Sequence, residues 1–107
     1  MNNELTPHIK YYDNGNVWVK GQKNSVGQRE GLWECFYPNG NIKWRTPYKG
    51  GKFNGIEELF YLNGNIYWRI PYIEGKIDGI VEKFDEQGNI TETYLWENGK
   101  LIEETEN

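Results

Sequence analysis

Three carboxylates, Glu34, Glu58 and Glu82, recur in this chain at intervals of 24 residues. A pair of carboxylates flanking a glycosidic bond can serve as acid and base. Such a site is one constellation, whereas these glutamates repeat at a constant interval, so they belong to the architecture. The expectation is that they share a face with the tryptophans described below and accept N–H groups from turns or indoles, since a half-buried carboxylate needs donors. The rival reading is an acidic stripe that receives basic residues of a partner. Cys35 is the single cysteine and has no histidine near it in sequence. A nucleophilic thiol needs a base and a depressed pKa, so Cys35 reads as inert and partly buried. His8, the one histidine, lacks the neighbours that a general base or a metal ligand requires. The glycines at Gly50-Gly51 and Gly75-Lys76 lack the Gly-x-x-x-x-Gly-Lys-Ser/Thr pattern of a phosphate loop. The reading therefore expects no catalytic residue, no metal site and no cofactor, and an enzyme is not expected.

A second recurring set is aromatic: Trp44, Tyr48, Trp68, Tyr72 and Trp96. Cross-strand aromatic pairs stabilise a sheet, which is the structural reading. Trp and Tyr also dominate binding hot spots, so an uncovered aromatic row is the candidate binding surface.

The elements that must position these side chains follow from a third repeat. Asn-Gly-Asn stands at residues 14–16, 39–41 and 63–65, with a decayed copy at Gln87-Gly88-Asn89. The central glycines Gly15, Gly40, Gly64 and Gly88 are turn glycines, and the period of 24 to 25 residues marks a repeat architecture. Glycine-bearing turns bound both ends of each apolar run, which predicts an antiparallel meander of about eight short strands. Units are expected at about 8–30, 31–54, 55–78 and 79–103, with an acidic tail over 103–107, in a single repeat domain spanning 1–107. Pro38-Asn39-Gly40 predicts a three-residue loop, with Pro opening a type I turn and Gly in the left-handed region. That loop pairs Tyr37 with Asn41. It then places Leu32, Glu34, Phe36, Ile42, Trp44, Thr46 and Tyr48 on one face. The opposite face would carry Lys43, Arg45, Glu57, Arg69, Lys83, Thr91 and Thr93.

Composition agrees with an all-β chain. There is no alanine, and there are 13 glycines, 5 Trp, 8 Tyr and 4 Phe, so helix is disfavoured and a pleated surface favoured. The net charge of −4 argues against nucleic acid and against electrostatic attachment to an anionic membrane. No apolar run reaches the length of a membrane span or the core of a signal peptide, so the expected location is cytoplasmic.

The phrase Gly51-Lys52-Phe53-Asn54-Gly55, repeated as Gly75-Lys76-Ile77-Asp78-Gly79, precedes an aromatic pair and an Asn-Gly turn. This pattern resembles the bacterial variant of the MORN repeat over roughly residues 11 to 103. The resemblance implies an elongated, curved single sheet of about four stacked β-hairpins, with no catalytic residues. It also implies a protein-binding module, antitoxin-like in that proteins of this kind are commonly labelled antitoxin components. The alternative it leaves open is a membrane- or lipid-associated scaffold. The partner is expected to be a protein, and a basic one given the charge. Weak homodimerisation is expected through the N-terminal edge or the aromatic face.

Overall fold

The computed structural model describes residues 4–106; the outermost ends of the expected 1–107 unit lie outside the described residues. Among the described residues every regular element is a strand. In chain order they are β1 (Thr6–Tyr11), β2 (Val17–Lys23), β3 (Arg29–Phe36), β4 (Ile42–Lys49), β5 (Lys52–Phe53), β6 (Gly55–Phe60), β7 (Ile66–Ile73), β8 (Lys76–Ile77), β9 (Gly79–Phe84), β10 (Ile90–Glu97) and β11 (Lys100–Glu106). Neighbours pair antiparallel in the order β1-β2-β3-β4-β6-β7-β9-β10-β11, with β5 on β4 and β8 on β7. The eleven strands exceed the expected eight for two reasons. The Gly-Lys segments form two-residue arms of their own, β5 and β8. Residues 100–106, expected to include an acidic tail, run on as the edge strand β11. The sheet is open and uncurled, an antiparallel hairpin meander. Its extents are 44 × 38 × 13 Å, so it is one layer thick and nearly as broad as it is long.

Two kinds of turn build each repeat. At the Asn-Gly-Asn end, Tyr37 N–H donates to Asn41 O (2.7 Å) and Gly40 N–H donates to Tyr37 O (2.9 Å). Gly40 has φ of 94°, with Gly15, Gly64 and Gly88 at 91°, 94° and 93°. This is the three-residue loop with its glycine in the left-handed region. At the other end, Gly50-Gly51, Glu74-Gly75 and Asn98-Gly99 have positive φ at both central residues. That is the geometry of a type I′ turn, whose twist matches the strands.

Both turns also weld each repeat to the next. Tyr37 O–H donates to Phe60 O (2.9 Å), and Tyr61 O–H donates to Phe84 O (2.7 Å). Asn41 Nδ2 donates to Leu62 O (2.8 Å), and Asn65 Nδ2 donates to Glu86 O (2.7 Å). At the far end Gly75 N–H donates to Phe53 O (2.8 Å) and Gly99 N–H donates to Ile77 O (2.8 Å). The Asn-Gly-Asn signature is thus a turn and an inter-repeat clamp in one. It decays in the last unit, where Asp85 stands in the place of Tyr37 and Tyr61. Asp85 instead serves its own turn, accepting N–H groups from Gln87 (2.9 Å) and Asn89 (3.0 Å).

One feature overturns the expected faces. After each loop the register slips by one residue. Phe36 pairs with Ile42, but Cys35 pairs with Trp44 and Glu34 with Arg45. The same bulge follows the loops of the next two repeats. A bulge inserts one unpaired residue, here Lys43, Tyr67 or Thr91, and moves every later residue to the other partner face.

Candidate functional site

The bulges separate the two sets of residues that the sequence suggested would share a face. One side of the sheet, here the aromatic face, carries Trp44, Thr46 and Tyr48 from β4, Trp68, Ile70 and Tyr72 from β7, and Tyr94 and Trp96 from β10. Trp33 pairs with Thr46, Leu59 with Trp68, and Val81 with Tyr94, so these lie on it too. Glu57, expected on the polar side, is on this face as well, paired with Ile70.

The aromatic row proves to be two rows. Trp44, Leu59 and Trp68 form one through successive pairings. Tyr48, Phe53 and Tyr72 begin the other. The ring of Phe53 stands edge-on between the two tyrosines, with centroids 5.1 and 4.8 Å away. Trp96 continues this second row, paired with Gly79 and Leu101. All five aromatics are half-buried. The most buried aromatic is one the spacing did not single out. Trp33 is 3% exposed, with its indole N–H donating to Gln22 O (2.9 Å) and the Arg29 guanidinium 4.2 Å from its ring centre. Its signal in the sequence was weak, because Glu57 and Val81 occupy the same place in the next repeats.

A polar cluster sits within this face. Thr46, 1% exposed, donates its hydroxyl to Glu57 Oε2 at 2.7 Å. Burial, then the charge and hydrogen bond of Glu57, push the Tyr72 phenol above its ordinary pKa. Glu92 accepts the hydroxyl of Tyr94 and pairs with Lys83 at 3.3 Å. The hydrogen bond to Glu92, above all, pushes Tyr94 up to about 12. Cys35 is buried, and burial pushes its thiol up, the opposite of what a nucleophile requires.

Glu34, Glu58 and Glu82 lie on the opposite face, which corrects their expected position beside the tryptophans. They cap no turn and accept no indole N–H. Instead they alternate with cations across the strands. Glu34 meets Lys20 (4.0 Å) and Arg45 (3.3 Å), Glu58 meets Arg45 (3.4 Å) and Arg69 (4.0 Å), and Glu82 meets Arg69 (3.0 Å). Each cation also lies over a ring: Lys20 over Phe36, Arg45 over Phe60, Arg69 over Phe84. Cross-strand pairs of opposite charge stabilise the sheet. These carboxylates are already neutralised from within, so they do not form a free acidic stripe.

Among the described residues no group of three His, Cys, Asp or Glu side chains converges on a point where a metal ion could sit. His8 stacks against Trp33 at 6.4 Å.

Residues 29–49 match the MORN repeat variant. The matched MORN repeat spans β3, its Asn-Gly loop and β4. The hairpin order of the whole sheet is consistent with MORN repeats. MORN repeats are, in general, protein- or membrane-binding modules. No curated protein and no solved structure matches the chain. No helix among the described residues is long and apolar enough to cross a membrane.

Proposed function

We propose that this chain is a non-enzymatic protein-binding module whose contact surface is the aromatic face, and that it works as an antitoxin-like partner of a basic protein in the cytoplasm. The observation that carries the reading is the thickness of the sheet. At 13 Å the fold is a single layer, and Trp44, Trp68, Tyr48, Tyr72 and Trp96 have no second layer over them. Apolar faces of sheets are normally packed against another element, and this one is left uncovered, its five rings only half-buried. The charge supports a basic partner. Of the 16 carboxylate side chains, twelve follow Asn54, whereas eight of the 12 lysines and arginines precede it. The C-terminal half is therefore strongly acidic, which favours a positively charged protein and disfavours an anionic lipid surface.

The test is capture from the native host with matched variants. A protein retained by the wild type, lost with Trp68→Ala on the aromatic face and kept with Leu32→Ser on the other face supports the reading. Retention unaffected by Trp68→Ala or Trp44→Ala overturns it. Flotation with anionic vesicles in place of protein capture would favour the lipid scaffold.

A further inference from the structure

The last three of the four repeats put different side chains at one structural position of the aromatic face. Trp33, Glu57 and Val81 each lie two residues after the recurring glycine Gly31, Gly55 or Gly79, and pair with Thr46, Ile70 and Tyr94 respectively. In the first of these three the indole of Trp33 fills the space. In the second, Glu57 is held across it by the Thr46 hydroxyl. In the third, Val81 is far smaller than Trp33, and the neighbouring row carries Ile77 and Leu101 where the preceding repeat has Phe53. The result is a hollow of about 300 Å³, lined by Trp68, Ile70, Ile77, Val81, Trp96 and Leu101 together with the ring of Tyr94. Its walls are apolar almost throughout. Loss of bulk at one place in a repeating face has left room for a side chain from elsewhere.

Beyond the Tyr94 wall of the hollow the face is charged: Lys83, 5.5 Å over the Trp68 ring, is paired with Glu92, and the edge strand adds two carboxylates. On β11, Glu104 pairs with Tyr94 and Glu106 with Glu92. Residues two apart on a strand share a face, so both carboxylates stand on the aromatic side. Both are exposed, and their charge contributes to the raised pKa of Tyr94. Among the described residues neither makes an ion pair, unlike Glu92, whose nearest cation is Lys83. An apolar hollow with unpaired carboxylates on the edge strand beyond its Tyr94 wall fits a peptide that offers an apolar side chain between cationic ones.

We propose that this hollow anchors a bulky apolar side chain from a basic segment of a partner protein, with lysine or arginine beside the anchor meeting Glu104 and Glu106. This rests on the protein-binding reading and adds the place and the chemistry. Trp68 and Trp96 report occupancy directly, because both line the hollow. The probes are three capped peptides, Lys-Phe-Lys-Phe-Lys, Lys-Ser-Lys-Ser-Lys and Glu-Phe-Glu-Phe-Glu, titrated against the intact chain while indole NMR shifts and tryptophan fluorescence are followed. Only the first should bind, with saturable shifts at Trp68 and Trp96, and added salt should weaken it. Val81→Trp, which copies the repeat of Trp33, should reduce its affinity at least tenfold. The paired change Glu104→Gln and Glu106→Gln should remove most of the salt dependence. Should Val81→Trp perturb the fold, Leu101→Lys at the open border provides the same test.

Binding that persists in Val81→Trp and Leu101→Lys, or shifts confined to Trp44 and Trp33, would overturn the hollow as the anchor and leave the broader reading intact. Absence of peptide binding while the host partner is still captured in a Trp68-dependent manner would likewise overturn this inference alone. A host partner captured regardless of Trp44 and Trp68 would overturn the broader reading instead.

Discussion

The indole of Trp33 lies directly on the backbone of Gly21, so that a Cβ placed on Gly21 would stand inside the indole ring system. Gly21 is in β2, in the stretch where pairing with β3 becomes irregular between Lys20 and Gln22. Its φ is not in the left-handed region, so space alone requires glycine. Gly21→Ala must displace a side chain that is 3% exposed and hydrogen-bonded to Gln22. Overpacking of this kind costs about 1–3 kcal/mol, and the expectation here is the upper end of that range. Urea unfolding of the variant should show it, and Trp33→Val in the same chain should recover part of the loss if the clash is the cause.

Among the described residues Glu74 is one of two non-glycine residues with positive φ, at 47° in a type I′ turn whose counterpart in the previous repeat is Gly50. Glutamate is strained there, whereas Asn and Gly adopt the region readily. Glu74→Asn should stabilise the chain by about 1 kcal/mol, the low end of the cost of a left-handed conformation. The side chain is exposed, so little packing is lost. A thermal melt that falls rather than rises would contradict this account of the turn.

Asp85 makes the final loop sensitive to acid. The backbone N–H of Asn89, foremost, holds its carboxyl below the ordinary value of 3.8. A depressed folded-state pKa means stability that is complete above the unfolded value and disappears as pH falls through the folded one. Unfolding curves between pH 7 and pH 2 should therefore show a decline beginning near pH 4. Asp85→Asn keeps an acceptor for Gln87 and Asn89 but cannot titrate, so its decline over that window should be shallower.

Tyr94 gives the alkaline counterpart. Its phenol is raised from 10.0 to about 12, chiefly by the hydrogen bond it donates to Glu92. A raised folded-state pKa means stability that is intact below pH 10 and lost as pH rises through about 12. In a spectrophotometric titration of phenolate, Tyr94 should ionise among the last of the eight tyrosines. Tyr94→Phe should remove that late component and flatten the loss of stability between pH 10 and 12.

The aromatic face and the glutamate ladder show where sequence reasoning reached and where it stopped. Both sets were found from their spacing, because side chains doing the same job in each repeat must recur at its period. Their relative placement was misjudged. Trp44 is ten residues after Glu34, an even interval measured across a loop, and a regular hairpin would have put them together. The bulge at Lys43 reverses that parity, and Lys43, Tyr67 and Thr91, which occupy it in successive repeats, share no chemical character. Phe53 and Trp33 were missed for a related reason. Neither is repeated as the same residue, since Ile77 and Leu101 follow Phe53, and Glu57 and Val81 follow Trp33.

By itself the sequence determined the all-β meander, the period and the loop geometry. These are local matters: Pro38, Asn39 and Gly40 set the backbone of their own loop through restricted φ and ψ, and repetition multiplies the signal. Which side of the sheet each carboxylate faces, and that Arg45 and Arg69 neutralise the glutamates, depended on contacts between strands. So did the hollow beside Val81. An empty space is defined by the side chains surrounding it, here drawn from β7, β8, β9, β10 and β11, and those segments meet only once the strands are paired in their bulged register.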